Sequence, residues 1–208
     1  MKYAAIIFDL GGVLFDIRYQ NTADAFRALG LHDFDAIYSQ ARQDGLFDDF
    51  ETGHSSAPDF RMRLRRWIGP EVSDAAIDTA WNAMLLGMRP DKIELLLSLK
   101  GKYRLFLLSN TNEIHLQAVF RMMNAQFGFQ DLAQFMDHQY FSCRIGMRKP
   151  DAGIFELVLK EQGLLPAETL FIDDSIQHVE GAKKTGIQGY HLQPGQSIQS
   201  LLNQFISV

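Results

Sequence analysis

Four polar segments of this chain share one context, the end of an apolar run or the start of a helical one. Asp9 follows Tyr3-Ala4-Ala5-Ile6-Ile7-Phe8 and precedes Leu10-Gly11-Gly12. Ser109-Asn110-Thr111 follows Leu107-Leu108, and Asp173-Asp174 follows Phe171-Ile172. Lys149 lies in Gly146-Met147-Arg148-Lys149-Pro150, where the proline holds the lysine extended at a helix start. Each segment has a plain alternative. Asp9 reads as a turn initiator, Ser109 or Asp174 as a helix N-cap, and Lys149 as a solvated lysine. Their conjunction, each at a strand end or helix start, points to a shared site.

The chemistry of such a site follows from its charges. Three converging acids without a counter-ion repel, at about 4 kcal/mol for two unit charges 4 Å apart in an effective dielectric of 20. Clustered oxygen ligands with few nitrogens or sulfurs suit a hard divalent cation, and Mg²⁺ above all where phosphate is also bound. Lys149 adds a second positive charge. Together they would neutralise a phosphoryl group so that the Asp9 carboxylate could approach it. Covalent catalysis through an aspartyl phosphate is an established use of that side chain.

The elements that must position these groups are legible as alternating runs. Residues 3–9, 103–109, 168–173 and, more weakly, 187–192 are apolar and strand-like. Near-continuous apolar strands are expected where helices cover both faces of a parallel sheet. Open α/β sheets bind ligands outside the carboxyl ends of their strands, where these polar groups fall. One helix begins at Pro90, with Ile93, Leu96 and Leu97 inward and Gly101 as its stop. Pro150 opens a second, with Ile154, Phe155, Val158 and Leu159 inward before Gly163. Residues 175–186 form a third.

Residues 17–88 break the alternation. Ser73 precedes a helical pattern of Ile77, Ala80, Trp81, Met84 and Leu85, closed by Gly87, and a weaker one runs through Ala23, Phe26 and Leu29. With no strand pattern in that stretch, the expected fold is α/β. A Rossmann-like parallel sheet sandwiched by helices forms a core from residues 1–16 and 89–208, with a helical cap inserted over 17–88.

Composition narrows the partners. The chain has 208 residues, 47% of them hydrophobic, enough for one sizeable core, and a net charge of -5 that favours neither nucleic acid nor an anionic membrane. The single cysteine, Cys143, excludes an intrachain disulfide. With neither a leader pattern nor a spanning apolar run, a cytoplasmic location is expected. Nothing in the pattern specifies an oligomeric state.

The segments Asp9-Leu10-Gly11-Gly12-Val13, Ser109-Asn110-Thr111-Asn112, Gly146–Pro150 and Asp173-Asp174 with Val179–Ala182 resemble, in order, the four motifs of the haloacid dehalogenase-like superfamily. The subgroup they look most similar to is the bacterial α-D-glucose-1-phosphate phosphatases. That resemblance implies Asp9 as nucleophile and Mg²⁺ ligand, the Gly11 carbonyl and Asp174 as further ligands, and Asp173 supporting them from behind. Ser109 and Asn110 would hold the phosphoryl group, and Lys149 would stabilise its charge.

Two departures bear on function. Most phosphatases of the superfamily carry an acid–base aspartate two residues after the nucleophile, where this chain has Gly11; such catalysis is worth roughly 10²–10⁴-fold. An easily departing leaving group, such as a sugar anomeric oxygen, fits that loss, which makes a hexose 1-phosphate the expected substrate. His178 stands where relatives have Asn or Asp, and reads as a donor behind the metal shell, a surface residue or a ligand. In the insert, Asp48–His54 is a polar, turn-prone run, with His54 the tempting replacement base. The basic run Arg61–Arg66 reads as a solvated helix paired with acids. The competing readings are a weak phosphate-binding or regulatory protein and a 2-haloacid dehalogenase.

Overall fold

The computed structural model describes residues 2–31, 34 and 45–206. Its centre is a five-stranded, all-parallel sheet in the order β5-β4-β1-β6-β7. The strands are β1 (Ala5–Phe8), β4 (Arg104–Ser109), β5 (His138–Phe141), β6 (Thr169–Asp173) and β7 (Gln188–His191). Four of them fall inside the apolar runs expected from sequence. β5 does not: it begins with the half-exposed pair His138-Gln139, and an edge strand of four residues leaves little apolar signal.

Strand pleating sends alternate side chains to opposite faces, and helices bury both. Ile6, Phe8, Leu105, Leu107, Leu170 and Ile172 pack under α5 (Pro90–Leu99), α6 (Glu113–Phe127) and α10 (Ile198–Leu202). Ile7, Phe106, Leu108 and Phe171 pack under α8 (Ala152–Gln162) and α9 (Ile176–Lys184). The fold is α/β and Rossmann-like, with β1 central and its neighbours β4 and β6 reached in opposite directions. In α5 the buried face is Lys92, Leu95, Leu96 and Leu99, and Leu97 is exposed. Positions i, i+3, i+4 and i+7 form the stripe, and Leu97 lies about 100° off it.

Within 17–88, the helices are α1 (Tyr19–Ala28), α2 (Gly45–Glu51), α3 (Ala57–Ile68) and α4 (Asp74–Asn82). They share an apolar cluster of their own, centred on Phe26, Phe47, Phe60 and Trp81. Ser73 caps α4 by accepting from the Ala76 N–H, as its sequence suggests. The basic run of α3 closes on acids: Arg61 makes two 2.8 Å bonds to Asp78, Arg63 reaches Asp49 and Arg65 reaches Asp74.

Two expectations fail at the edges of this segment. β2 (Asp16–Ile17) pairs antiparallel with β3 (Leu85–Gly87), so strand structure exists where none is expected. α4 also ends at Asn82, leaving Leu85 in the ribbon rather than on a helix face. Strands of two and three residues are too short to show a period of two. No helix among the described residues is long and apolar enough to cross a membrane.

Candidate active site

Register brings the acids together. Phe8 pairs with Leu107 on one side and Ile172 on the other, so Asp9 emerges level with Asp173 and one step from Ser109. The Asp9 N–H bonds the Ile172 carbonyl at 2.9 Å, carrying the ladder to the edge of the site. Asp9, Asp173 and Asp174 each offer a carboxylate oxygen within 4.8 Å of the others. Gly12 permits the approach of Asp174: its φ is 76°, and a Cβ there would lie 2.1 Å from Asp174 Oδ2.

Lys149 joins the acids from another part of the chain. Its side chain is buried, with Nζ donating to Asp9 Oδ1 at 2.7 Å and Asp173 Oδ2 at 2.6 Å. The Lys149–Pro150 peptide is cis, and Pro150 does not itself open the next helix; Asp151 caps α8, which begins at Ala152. Asn110 clasps the lysine backbone, its Nδ2 donating to the Lys149 carbonyl and its Oδ1 accepting from the Lys149 N–H, both at 2.9 Å. The amide expected to face a phosphoryl group is thus occupied in positioning the lysine. Among the described residues the Ser109 hydroxyl makes only a 3.5 Å contact, to the Asn110 carbonyl, which leaves it for a ligand. It caps no helix; Asn112 caps α6 instead.

Charge in this pocket is unevenly balanced. Burial pushes Asp9 up to about 7; Lys149 opposes the shift and Asp173 and Asp174 add to it. Burial and then Asp173 push Asp174 up to about 6. Burial acts against Asp173 as well, but Lys149 and His178 outweigh it and hold that carboxyl at about 2. Burial also opposes the Lys149 ammonium, yet Asp173 and Asp9 leave its pKa raised. One buried cation therefore serves three acids, and Asp9 and Asp174 carry the unneutralised charge.

That donor set fits a hard divalent cation. Asp9 and Asp174 would hold it, because both Asp173 oxygens are engaged. Besides Lys149, Asp173 accepts from the Ser175 N–H at 2.8 Å and meets His178 Nδ1 at 3.0 and 3.1 Å. His178 is thereby a partner of Asp173, the first of its three sequence readings.

A metal-dependent result follows. The folded pKa values of Asp9 and Asp174 lie above their unfolded value of 3.8. Their contribution is present in full below that value, and metal-free protein loses it as pH rises through 6 to 7. Mg²⁺ bound to the ionised acids reverses the loss. At a hundred times its dissociation constant it adds about 2.7 kcal/mol, roughly 5–11 °C for a chain this size. In a thermal-unfolding series the Mg²⁺ shift is expected to be at least twice as large at pH 8 as at pH 5. Equal shifts, or none, would show that these acids do not hold the ion.

Two recesses lie among the motif segments, one at Asp174 and one at Gly11 and Ser109. Gly12, Asp174, Arg89 and Lys92 border one. Gly11, Ser109, Asn110, Glu51 and His115 border the other, with apolar walls from Phe15, Ile17 and Met84. The run Asp48–His54 thus does reach the site, but not as expected. Asp48–Glu51 is helical, Glu51 is the residue that faces in, and His54 is exposed on Thr52. Arg148 ties that helix to the lysine motif through Asp48 and Glu51. Glu51, His115 and the side-chain role of Arg148 escaped sequence reading. The polar run marked the right neighbourhood for Glu51; His115, in the first turn of α6, carries no local signal.

Residues 3–186 match the sequence profile of haloacid dehalogenase-like hydrolases. The chain belongs to this family. It is 31% identical to a D-ribitol-5-phosphate phosphatase from Bacteroides thetaiotaomicron over 95% of this chain and 98% of the relative. It is also 31% identical to the sesquiterpene phosphatase AstK of Aspergillus oryzae, over 91% and 90% of the two chains. A HAD family enzyme of B. thetaiotaomicron, crystallised with magnesium and inorganic phosphate, superimposes with a TM-score of 0.87 at 33% identity, covering 96% of this chain and 98% of its own. As a haloacid dehalogenase-like hydrolase, the protein keeps its four motif segments around one sheet edge.

Proposed function

We propose that this enzyme is a Mg²⁺-dependent phosphatase of a small phosphorylated metabolite, working through an aspartyl phosphate on Asp9. The carrying observation is the buried Lys149 ammonium shared between Asp9 and Asp173, beside a third acid with unneutralised charge. With Oδ1 held by Lys149, Asp9 Oδ2 attacks phosphorus as the ester P–O bond breaks and the leaving oxygen departs with the electron pair. Water then attacks the same phosphorus, the acyl P–O bond breaks to restore the Asp9 carboxylate and release phosphate, and the proton water sheds reaches the departed alkoxide through solvent. Ser109 Oγ and the main chain at Asn110 hold the phosphoryl oxygens, and Lys149 offsets their charge. Asp9, Asp174 and the Gly11 carbonyl would hold Mg²⁺, which would further stabilise that charge. Residues 17–88 act as the cap over the Gly11 recess.

A dehalogenase would use the same nucleophile without a metal; the charge excess on Asp9 and Asp174 favours the phosphatase. Gly11 bears on the substrate. A Cβ there would sit 3.1 Å from Ile17 Cδ1, so an acid–base residue at this position would have to push the end of that side chain back by a few tenths of an ångström. A leaving group that departs without protonation, as a sugar anomeric oxygen does, suits the site and supports a hexose 1-phosphate. The ribitol-5-phosphate phosphatase relative supports a polyol phosphate as the second reading.

Phosphate release with Mg²⁺ across a panel of esters tests the first reading. α-D-Glucose 1-phosphate is expected to exceed simple alkyl phosphates by about 10²-fold or more in kcat/KM, the lower end of the acid–base contribution. Equal rates would sink the leaving-group argument, and chelator-insensitive halide release from a 2-haloacid would sink the phosphatase itself.

A further inference from the structure

His115 is held more firmly than a packing residue needs. It borders the same recess as Gly11, Ser109 and Asn110 and is 8% exposed. Its ring lies flat on Trp81, with centroids 4.8 Å apart and planes 8° from parallel. Its Nδ1 is 2.9 Å from Asn82 Oδ1, and its backbone N–H donates to the Asn112 side chain at 3.0 Å. With the Asn82 carbonyl as acceptor, Nδ1 carries the proton and Nε2 is left as the polar atom of the ring. Among the described residues no hydrogen bond reaches Nε2, so it is the ring's free acceptor at a recess that Ser109 and Asn110 also line.

We infer that His115 Nε2 accepts a hydrogen bond from a hydroxyl of the leaving group, selecting phosphate esters that carry a free hydroxyl close to the ester oxygen. This rests on the phosphatase reading and deepens it: the substrate class is hydroxylated, sugar or polyol, rather than alkyl or prenyl. Burial also pushes the imidazole down to about 3, which keeps the ring neutral and Nε2 an acceptor at assay pH. His115 is a binding residue on this account, with no bond made or broken on it.

The test compares glycerol 1-phosphate with n-propyl phosphate, which differ only in their hydroxyls, under saturating Mg²⁺. Wild-type protein is expected to favour glycerol 1-phosphate by roughly 10-fold in kcat/KM, the upper end of what one hydrogen bond contributes. In His115→Phe, which keeps an aromatic ring for the Trp81 stack, that ratio falls to within about threefold of unity, mainly through KM. His115→Gln, which retains an acceptor, recovers part of it. The variants separate recognition from the small inductive effect of the hydroxyls, which no substitution in the protein removes. An unchanged ratio in both variants, or parallel losses on both esters, would overturn the inference, as would a wild-type ratio near one. Absence of phosphate release from every ester by wild type would instead overturn the phosphatase reading.

Discussion

Asp9→Asn lowers phosphate release by about 10⁴-fold or more, the loss typical of removing a nucleophile. The substitution keeps the side-chain shape and an oxygen that can still accept from Lys149 Nζ, now 2.7 Å from Oδ1. What disappears is the anion that attacks phosphorus. Stability should move differently from activity. Asp9 ionises only near 7 because burial and two neighbouring acids oppose its charge, so above that pH its ionised form is a burden on metal-free protein. The neutral amide relieves it, and the unfolding midpoint of metal-free Asp9→Asn at pH 8 is expected not to fall below that of wild type. Steady-state phosphate release, alongside urea denaturation in chelator, checks both halves. Turnover within a hundredfold of wild type would remove Asp9 from the centre of the chemistry.

Lys149→Met should damage both stability and turnover. The ammonium is buried and answers two carboxylates, at 2.7 and 2.6 Å. Methionine matches its length and leaves Asp9 and Asp173 as uncompensated buried charges, a loss of about 3–5 kcal/mol. Removing the charge that faces the phosphoryl oxygens costs a further factor of roughly 10²–10³ in kcat. The stability loss has a pH signature. Without Lys149 the folded pKa of Asp9, already above the unfolded value, rises further, and that of Asp173 climbs from about 2 to above it. Their favourable contribution then survives below that value and is lost as pH rises. Denaturation of wild type and variant should therefore diverge most above pH 7 and converge toward pH 4. A uniform small loss across pH would mean that the lysine is not the counter-ion of these acids.

Local pattern and tertiary contact contributed differently to this site. The runs that became β1, β4 and β6 are apolar and continuous, and the residue ending each one was readable as polar. The parallel α/β architecture and the gathering of Asp9, Ser109 and Asp173 at one sheet edge follow from that alone. Strand β5 and the β2–β3 ribbon were hidden, because two to four residues at an edge carry no period to detect. Pattern also misplaced Leu97, whose apolar character points nowhere once Lys92, Leu95, Leu96 and Leu99 take the buried stripe.

The sequence by itself determined the order and type of the chemical groups, since each sits at a strand or helix boundary set by near neighbours. Only the tertiary structure decided which groups from outside the sheet join them. Lys149 lies 140 residues from Asp9, Arg148 a hundred from Asp48, and Asn110 turns out to hold the lysine backbone. It also decided that Glu51 and His115, rather than His54, face the Gly11 recess. Hydrophobic periodicity reports burial along one element, whereas these contacts are fixed by how separate elements pack, and that packing is spread over the whole chain.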